Sequence, residues 1–193
     1  MILRTFIAIE IPARIQDAIA QSTASLRNAL PRTLVRWVAP QNVHLTLKFL
    51  GDVSSTNLEQ LAGSIQVKAA SHTTFSMSVG GLGAFPNPRR ARVVWIGIEA
   101  PPVLESLRSG LEAAVAQLGY APEGRLFSPH LTIGRLGQNL SASDNQFIRS
   151  ALEAVKVGLL GTLRVEAVHI FKSDLRPGGP IYTRLYTLPL KPL

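Results

Sequence analysis

Apolar and polar positions alternate with a period of two in several short stretches and recur at helical spacing in others. Residues 3–10 alternate as a strand, and Ile11-Pro12 punctuates it. Residues 13–30 place Ile15, Ala18, Ile19, Ser22, Leu26 and Leu30 along one helix, which Pro31 ends. Residues 35–38 predict a short strand. Residues 43–50 predict a second, closed by Gly51-Asp52, and 56–70 a helix. Residues 75–79 begin a strand that runs into Gly80-Gly81-Leu82-Gly83, and 92–98 are a nearly continuous apolar strand. Pro101-Pro102 opens a helix over 103–118, with Gly119 as its stop. Residues 130–135 predict a strand. Ser141 or Ser143 caps a helix to about 156, residues 162–172 read as one long strand, and 181–188 as the last.

Strands joined by short turns imply antiparallel sheets, hence an α+β fold. The two halves read as a diverged duplication, each with helices and one strand of the same pattern. No Pro/Gly/Ser linker is long enough to separate independent domains, so residues 1–193 are expected to form one unit. Gly80 to Pro88 is the nearest thing to a hinge.

Composition narrows the class. The chain is 46% hydrophobic, which is globular. No run of about 18 apolar residues predicts a membrane span, and the N-terminus lacks a signal-peptide pattern. With no cysteine, disulfides, thiolate zinc sites and a Cys nucleophile are excluded, and a cytoplasmic location is expected. A net charge of +8 favours a polyanionic partner such as nucleic acid.

The candidate chemistry sits in a phrase that occurs twice: His44-Leu45-Thr46-Leu47 and His130-Leu131-Thr132-Ile133. On a strand, His and Thr share one face about 7 Å apart, and the aliphatic pair faces the core. The bare His-x-Thr spacing is weak, since His72-Thr73-Thr74 also has it, but without the flanking aliphatics. If the two motif strands face each other, two imidazoles flank one ligand, one neutral and one protonated near pH 7, as a general base and a general acid. The Thr46 and Thr132 hydroxyls suit phosphate oxygens. Arg135, beyond the second motif's end, adds a charge-assisted contact. The set suits in-line displacement at phosphorus. A zinc site fits poorly, with no acid or Cys at ligand spacing, so no metal is expected. No G-x-S-x-G marks a serine hydrolase, and the glycines at 80–83 do not match a phosphate loop.

These motifs resemble those of the two-histidine (2H) phosphoesterases. Several further stretches are similar to the RNA 2′,3′-cyclic phosphodiesterase branch, also called 2′-5′ RNA ligase. They are Arg4-Thr5-Phe6-Ile7-Ala8-Ile9 with Pro12, Asn42 to Gly51, Arg92-Val93-Val94-Trp95, Phe127 to Arg135 and Gly179-Pro180-Ile181-Tyr182-Thr183. The resemblance implies a bilobal α+β fold with two antiparallel sheets around a central cleft and helices on the outer faces. It implies hydrolysis of an RNA 2′,3′-cyclic phosphate end to a 2′-phosphate with no cofactor. His44 would be the acid and His130 the base, with Thr46, Thr132 and Arg135 on the phosphate. Ser128 stands where some relatives carry another His.

Other residues carry plainer expectations. His72 reads as a solvated helix-end residue and His169 as a strand residue at the cleft rim. Arg92 faces either phosphate or an acid, and Arg89 and Arg90 are exposed. Trp37, Trp95, Phe6 and Phe49 read as core; alternation puts Phe49 with Leu45 and Leu47, opposite His44. Tyr182 borders the cleft. A monomer is expected. Two functions remain open beside the RNA-end hydrolase: a non-catalytic RNA-end binding module, and the same chemistry on a small cyclic nucleotide or 2′-5′ oligonucleotide.

Overall fold

A computed structural model describes residues 1–193. The period-two stretches form β1 (Ile2–Glu10), β2 (Val35–Trp37), β3 (His44–Ser54), β4 (Phe75–Phe85), β5 (Val93–Glu99), β6 (His130–Leu136), β7 (Leu159–Val165), β8 (Ala167–Asp174) and β9 (Ile181–Pro189). The helices are α1 (Ala13–Ser22), α2 (Ala24–Ala29), α3 (Leu58–Ala70), α4 (Pro102–Ala116) and α5 (Ala142–Glu153). All strand pairs are antiparallel. One sheet runs β3-β1-β8-β9 and the other β2-β6-β5-β4-β7.

The α+β architecture matches the expectation, and its symmetry is tighter than the pattern suggested. The order β3-β1-β8-β9 corresponds strand for strand to β6-β5-β4-β7, with β2 added beside β6. Each sheet therefore takes strands from both halves: β8 lies beside β1, and β4 beside β5. This exchange corrects the single strand expected over 162–172. The chain leaves one sheet at Val165 and enters the other at Ala167, with Glu166 exposed at the crossing. Alternation continues across that point, but the pairing partner changes.

Helices α3 and α4 pack together and against β3, β8 and β9, while α1 packs on β7 and α5 on α2. A cluster of 40 buried apolar residues from both sheets and the helices forms the core. A separate small cluster, Phe6, Ala8 and Phe171 with Tyr182 against it, lies on the opposite face of the first sheet. No helix is long and apolar enough to cross a membrane.

Gly80 to Pro88 is not a hinge. Residues 80–85 lie inside β4, paired with β5 along most of their length. A bulge between Gly80 and Leu82 uses Gly81 at φ 75°, a conformation that favours glycine. A Cβ on Gly83 would run into the Trp95 ring, so this glycine makes room for the indole. The helix expected over 13–30 is two helices, broken at Thr23. The buried Thr23 hydroxyl donates to the Ile19 carbonyl at 2.7 Å, the back-bonding that bends helices. Of the two candidate caps for α5, Ser141 serves. Its Oγ accepts the Asp144 N–H at 3.0 Å, and the Asp144 carboxylate accepts the Ser141 N–H at 2.9 Å, a capping box.

Candidate functional site

The two motif strands come from different sheets and lie against each other. Their first seven residues have the same pattern of burial: His half-buried, aliphatic buried, Thr half-buried, two buried, one exposed, one buried. The cause is a bulge at the same motif position in each. In β3, Ala8 pairs with Thr46 and Ile7 with Lys48, leaving Leu47 as the extra residue. In β6, Trp95 pairs with Thr132 and Val94 with Gly134, leaving Ile133 extra. An extra residue shifts the alternation by one. The fifth residue after each His therefore returns to the His–Thr face. In β6 that residue is Arg135, and in β3 it is Phe49.

This corrects the expected placement of Phe49. It is 58% exposed, not core, and its ring centroid lies 6.1 Å from that of Phe6. Phe6 is buried as expected, but beneath the site, stacked on His44 at 4.8 Å and on Phe171 at 5.3 Å. Tyr182 meets both Phe6 and His44 edge-on, at 5.0 and 5.2 Å. His44 thus stands on an aromatic bed. Trp95 also differs from expectation: it pairs directly with Thr132 and so shares the motif face, whereas Trp37 packs where a Gly134 side chain would be.

Both imidazoles are held alike. His44 Nδ1 lies 2.7 Å from the Asn42 carbonyl, and His130 Nδ1 lies 2.7 Å from the Ser128 carbonyl. A carbonyl only accepts, so each Nδ1 carries the hydrogen and each Nε2 is left for a ligand. The contact to residue 128 is through its backbone, so a serine there leaves His130 oriented. The Asn42 side chain donates to the Pro180 carbonyl at 2.8 Å, tying the segment before His44 to the turn before Tyr182. Burial pushes the His44 imidazole below its ordinary pKa; the Asn42 hydrogen bond opposes this, and the Arg135 guanidinium adds to it. An Arg135 effect on His44 reaches from one sheet to the other. Burial raises the Tyr182 phenol, which keeps it protonated near neutrality.

A cavity of about 770 Å³ opens beside His44, lined by Phe6, Tyr182, Gln41 and Arg184 among others. His169 lies on the same sheet face, opposite Ala8. Its Nδ1 is 3.2 Å from the Thr187 hydroxyl and its Nε2 3.8 Å from Glu10, and burial lowers its pKa. His72 follows α3 and bridges to α4, with Nδ1 donating to the Lys68 carbonyl at 2.8 Å and Nε2 at 3.0 Å from Ser106 Oγ. Arg92 takes neither expected partner: it donates to the Gly137 carbonyl at 2.5 Å. Arg89 and Arg90 are exposed, as expected. The structure gathers no group of three or more His, Cys, Asp or Glu able to hold a metal ion.

The sequence reading missed Lys48. It is buried and pairs with Glu112 at 2.5 Å, and it also donates to the Ala121 carbonyl at 2.5 Å. Glu112 accepts the Glu123 N–H at 2.6 Å as well. One ion pair thus joins the β3 bulge, α4 and the segment leading to His130. The signal was a lysine inside the apolar run Leu47-Lys48-Phe49-Leu50.

Paired motif strands on two exchanged sheets define a two-histidine phosphoesterase, and the chain belongs to the LigT-like phosphoesterase family. The family model described as LigT like Phosphoesterase matches residues 9–95 and again 96–182, one copy for each half. Among curated relatives, the RNA 2′,3′-cyclic phosphodiesterase of Methanothermobacter thermautotrophicus is 34% identical over 95% of this chain and 96% of its own. A solved protein of Thermus thermophilus superposes with a TM-score of 0.79 at 28% identity, over 98% of both chains. E. coli LigT in complex with 3′-AMP superposes with a TM-score of 0.76 at 26% identity, over 98% of this chain and 99% of that one.

Proposed function

We propose that this chain hydrolyses the 2′,3′-cyclic phosphate at an RNA 3′ end to a 2′-phosphate, as one bilobal, monomeric, cytoplasmic unit without metal or cofactor. The observation that carries the reading is the matched pair of imidazoles, each with Nδ1 pinned by a carbonyl two residues back, with Arg135 returned beside them by the bulge. The activity named for the relatives and the 3′-AMP bound by E. coli LigT support the substrate class.

The phosphate lies between the strands, its non-bridging oxygens on the Thr46 and Thr132 hydroxyls and the Arg135 guanidinium. Water attacks phosphorus as His130 Nε2 takes its proton. The P–O3′ bond breaks as His44 Nε2 donates a proton to O3′, leaving a 2′-phosphate and a 3′-hydroxyl. Phe49 supports this division of roles. It shares β3 with His44, so a base stacked on it places the ribose, and O3′, on the His44 side. Water then enters from the His130 side, in line. DNA has no 2′-hydroxyl and cannot form the cyclic end. A 5′-hydroxyl replacing water would form a 2′-5′ linkage, a weak reaction at ordinary end concentrations.

His44→Ala and His130→Ala should each lower turnover at least about 100-fold with unchanged folding. Full activity in either variant would overturn the assignment. The cavity beside His44 favours a second reading, with a small cyclic nucleotide or 2′-5′ oligonucleotide as the preferred substrate. Comparing kcat/KM for these with RNA ends decides between them.

A further inference from the structure

β2 is only three residues long, yet it sets Arg36 directly opposite Arg135 on β6. Directly opposed residues share a sheet face with Cβ atoms about 5 Å apart, and like charges there destabilise the sheet. Both side chains are exposed. No ion pair in the structure involves Arg36, Arg135 or Arg4. Some cations on this scaffold find carboxylates, as Arg149 does with Glu153 and Arg184 with Glu10, and others, such as Arg89 and Arg90, do not; what sets Arg36 apart is that it faces another arginine in register. Solubility alone does not require two arginines in register on neighbouring strands. A further arginine without an ion pair, Arg4 on β1, comes from the opposite sheet. Arg4 lies two residues before Phe6 on β1, the ring that Tyr182 meets edge-on at 5.0 Å, and all three arginines pull the Tyr182 phenol's pKa down against burial. Guanidinium groups from β1, β2 and β6 therefore converge at one end of the cleft.

Under the proposed function Arg135 holds the scissile phosphate. Arg36 is then left facing the same space with no anion assigned to it, and Arg4, though across from Asp52 on β3, makes no ion pair with it. A chain of nucleotides supplies that anion one unit upstream. We propose that Arg36 and Arg4 bind the phosphodiester on the 5′ side of the terminal nucleotide. The site then reads the end of a polynucleotide in preference to a mononucleoside cyclic phosphate. This inference rests on the functional reading above.

The test uses three substrates: a mononucleoside 2′,3′-cyclic phosphate, a dinucleotide ending in the cyclic phosphate, and that dinucleotide with an uncharged methylphosphonate linkage. Wild-type kcat/KM should favour the natural dinucleotide over the methylphosphonate about tenfold or more, and the preference should fade with salt. In Arg36→Gln the ratio should fall to about twofold, with the slope of log kcat/KM against log salt shallower by about 0.7 for the natural dinucleotide. Arg4→Gln should reduce the ratio independently. Thermal stability of Arg36→Gln should hold or rise, since a like-charge pair is relieved. A wild type indifferent to the linkage charge would overturn the inference, and so would an Arg36→Gln variant that keeps the full ratio. No turnover of any of the three by wild type would instead overturn the functional reading, and this inference with it.

Discussion

Replacing Glu112 with Gln removes the carboxylate beneath the first motif strand, which Lys48 meets at 2.5 Å and Arg108 at 3.7 Å. Glutamine keeps the shape and one acceptor oxygen but removes the charge. The Lys48 side chain is 5% exposed and Glu112 14%, so the pair stands in a site with little water. The other partner of Lys48, the Ala121 carbonyl, is neutral. Breaking a buried pair from one side costs about 3–5 kcal/mol. The glutamine carbonyl restores a neutral hydrogen bond worth about 1 kcal/mol, leaving a net loss of about 2–4 kcal/mol. For a domain of this size that corresponds to a fall in Tm of about 4–16 °C. Guanidinium titration followed by circular dichroism gives the free energy, and a thermal scan gives Tm. The double replacement Lys48→Met with Glu112→Leu removes both charges of the closer pair and should recover part of the loss, while Arg108 keeps Glu105 at 3.6 Å. A Glu112→Gln variant within about 1 kcal/mol of wild type would refute the reasoning, since it would mean the pair is effectively solvated.

Phe49→Ala should lower kcat/KM about tenfold or more through lost base stacking, while its exposure leaves stability nearly unchanged; steady-state kinetics beside a thermal scan tests both halves. A cyclic substrate whose 3′ leaving atom is sulfur needs no proton on departure. Turnover of it should be largely restored in His44→Ala and not in His130→Ala, and the opposite pattern would exchange the two roles. The kcat/KM profile should be bell-shaped. Its alkaline limb reports loss of the proton from the acid, and burial, with Arg135, shifts the His44 contribution toward lower pH in the free enzyme. Bound phosphate offsets the Arg135 charge, so the same limb should lie at higher pH in kcat than in kcat/KM; coincident limbs would contradict this coupling.

The motif strands were legible because each has one face in the core, and alternation records that directly. His44, Thr46, His130 and Thr132 share their expected faces for this reason. Arg135 and Phe49 were not placed by the same rule, because a bulge is a property of a pair of strands. Leu47 and Ile133 look like ordinary aliphatic positions until β1 and β5 are set beside them. Read together, the motifs held a faint sign: an arginine and an aromatic stand at matching positions just past each. The exchange of β4 and β8 between the halves left no local mark, since a strand's pattern tells which face is buried and not which neighbour it bonds. The break at Thr23 was likewise hidden, because helical periodicity continues from Ile19 to Leu26 across it.

The most direct test of the account is to incubate the protein, in EDTA, with an RNA oligonucleotide ending in a 2′,3′-cyclic phosphate and to identify the new end. The account predicts a phosphatase-sensitive 2′-phosphate, absent with His130→Ala. A cyclic end that survives high enzyme concentration, or one opened equally well by His130→Ala, would contradict it.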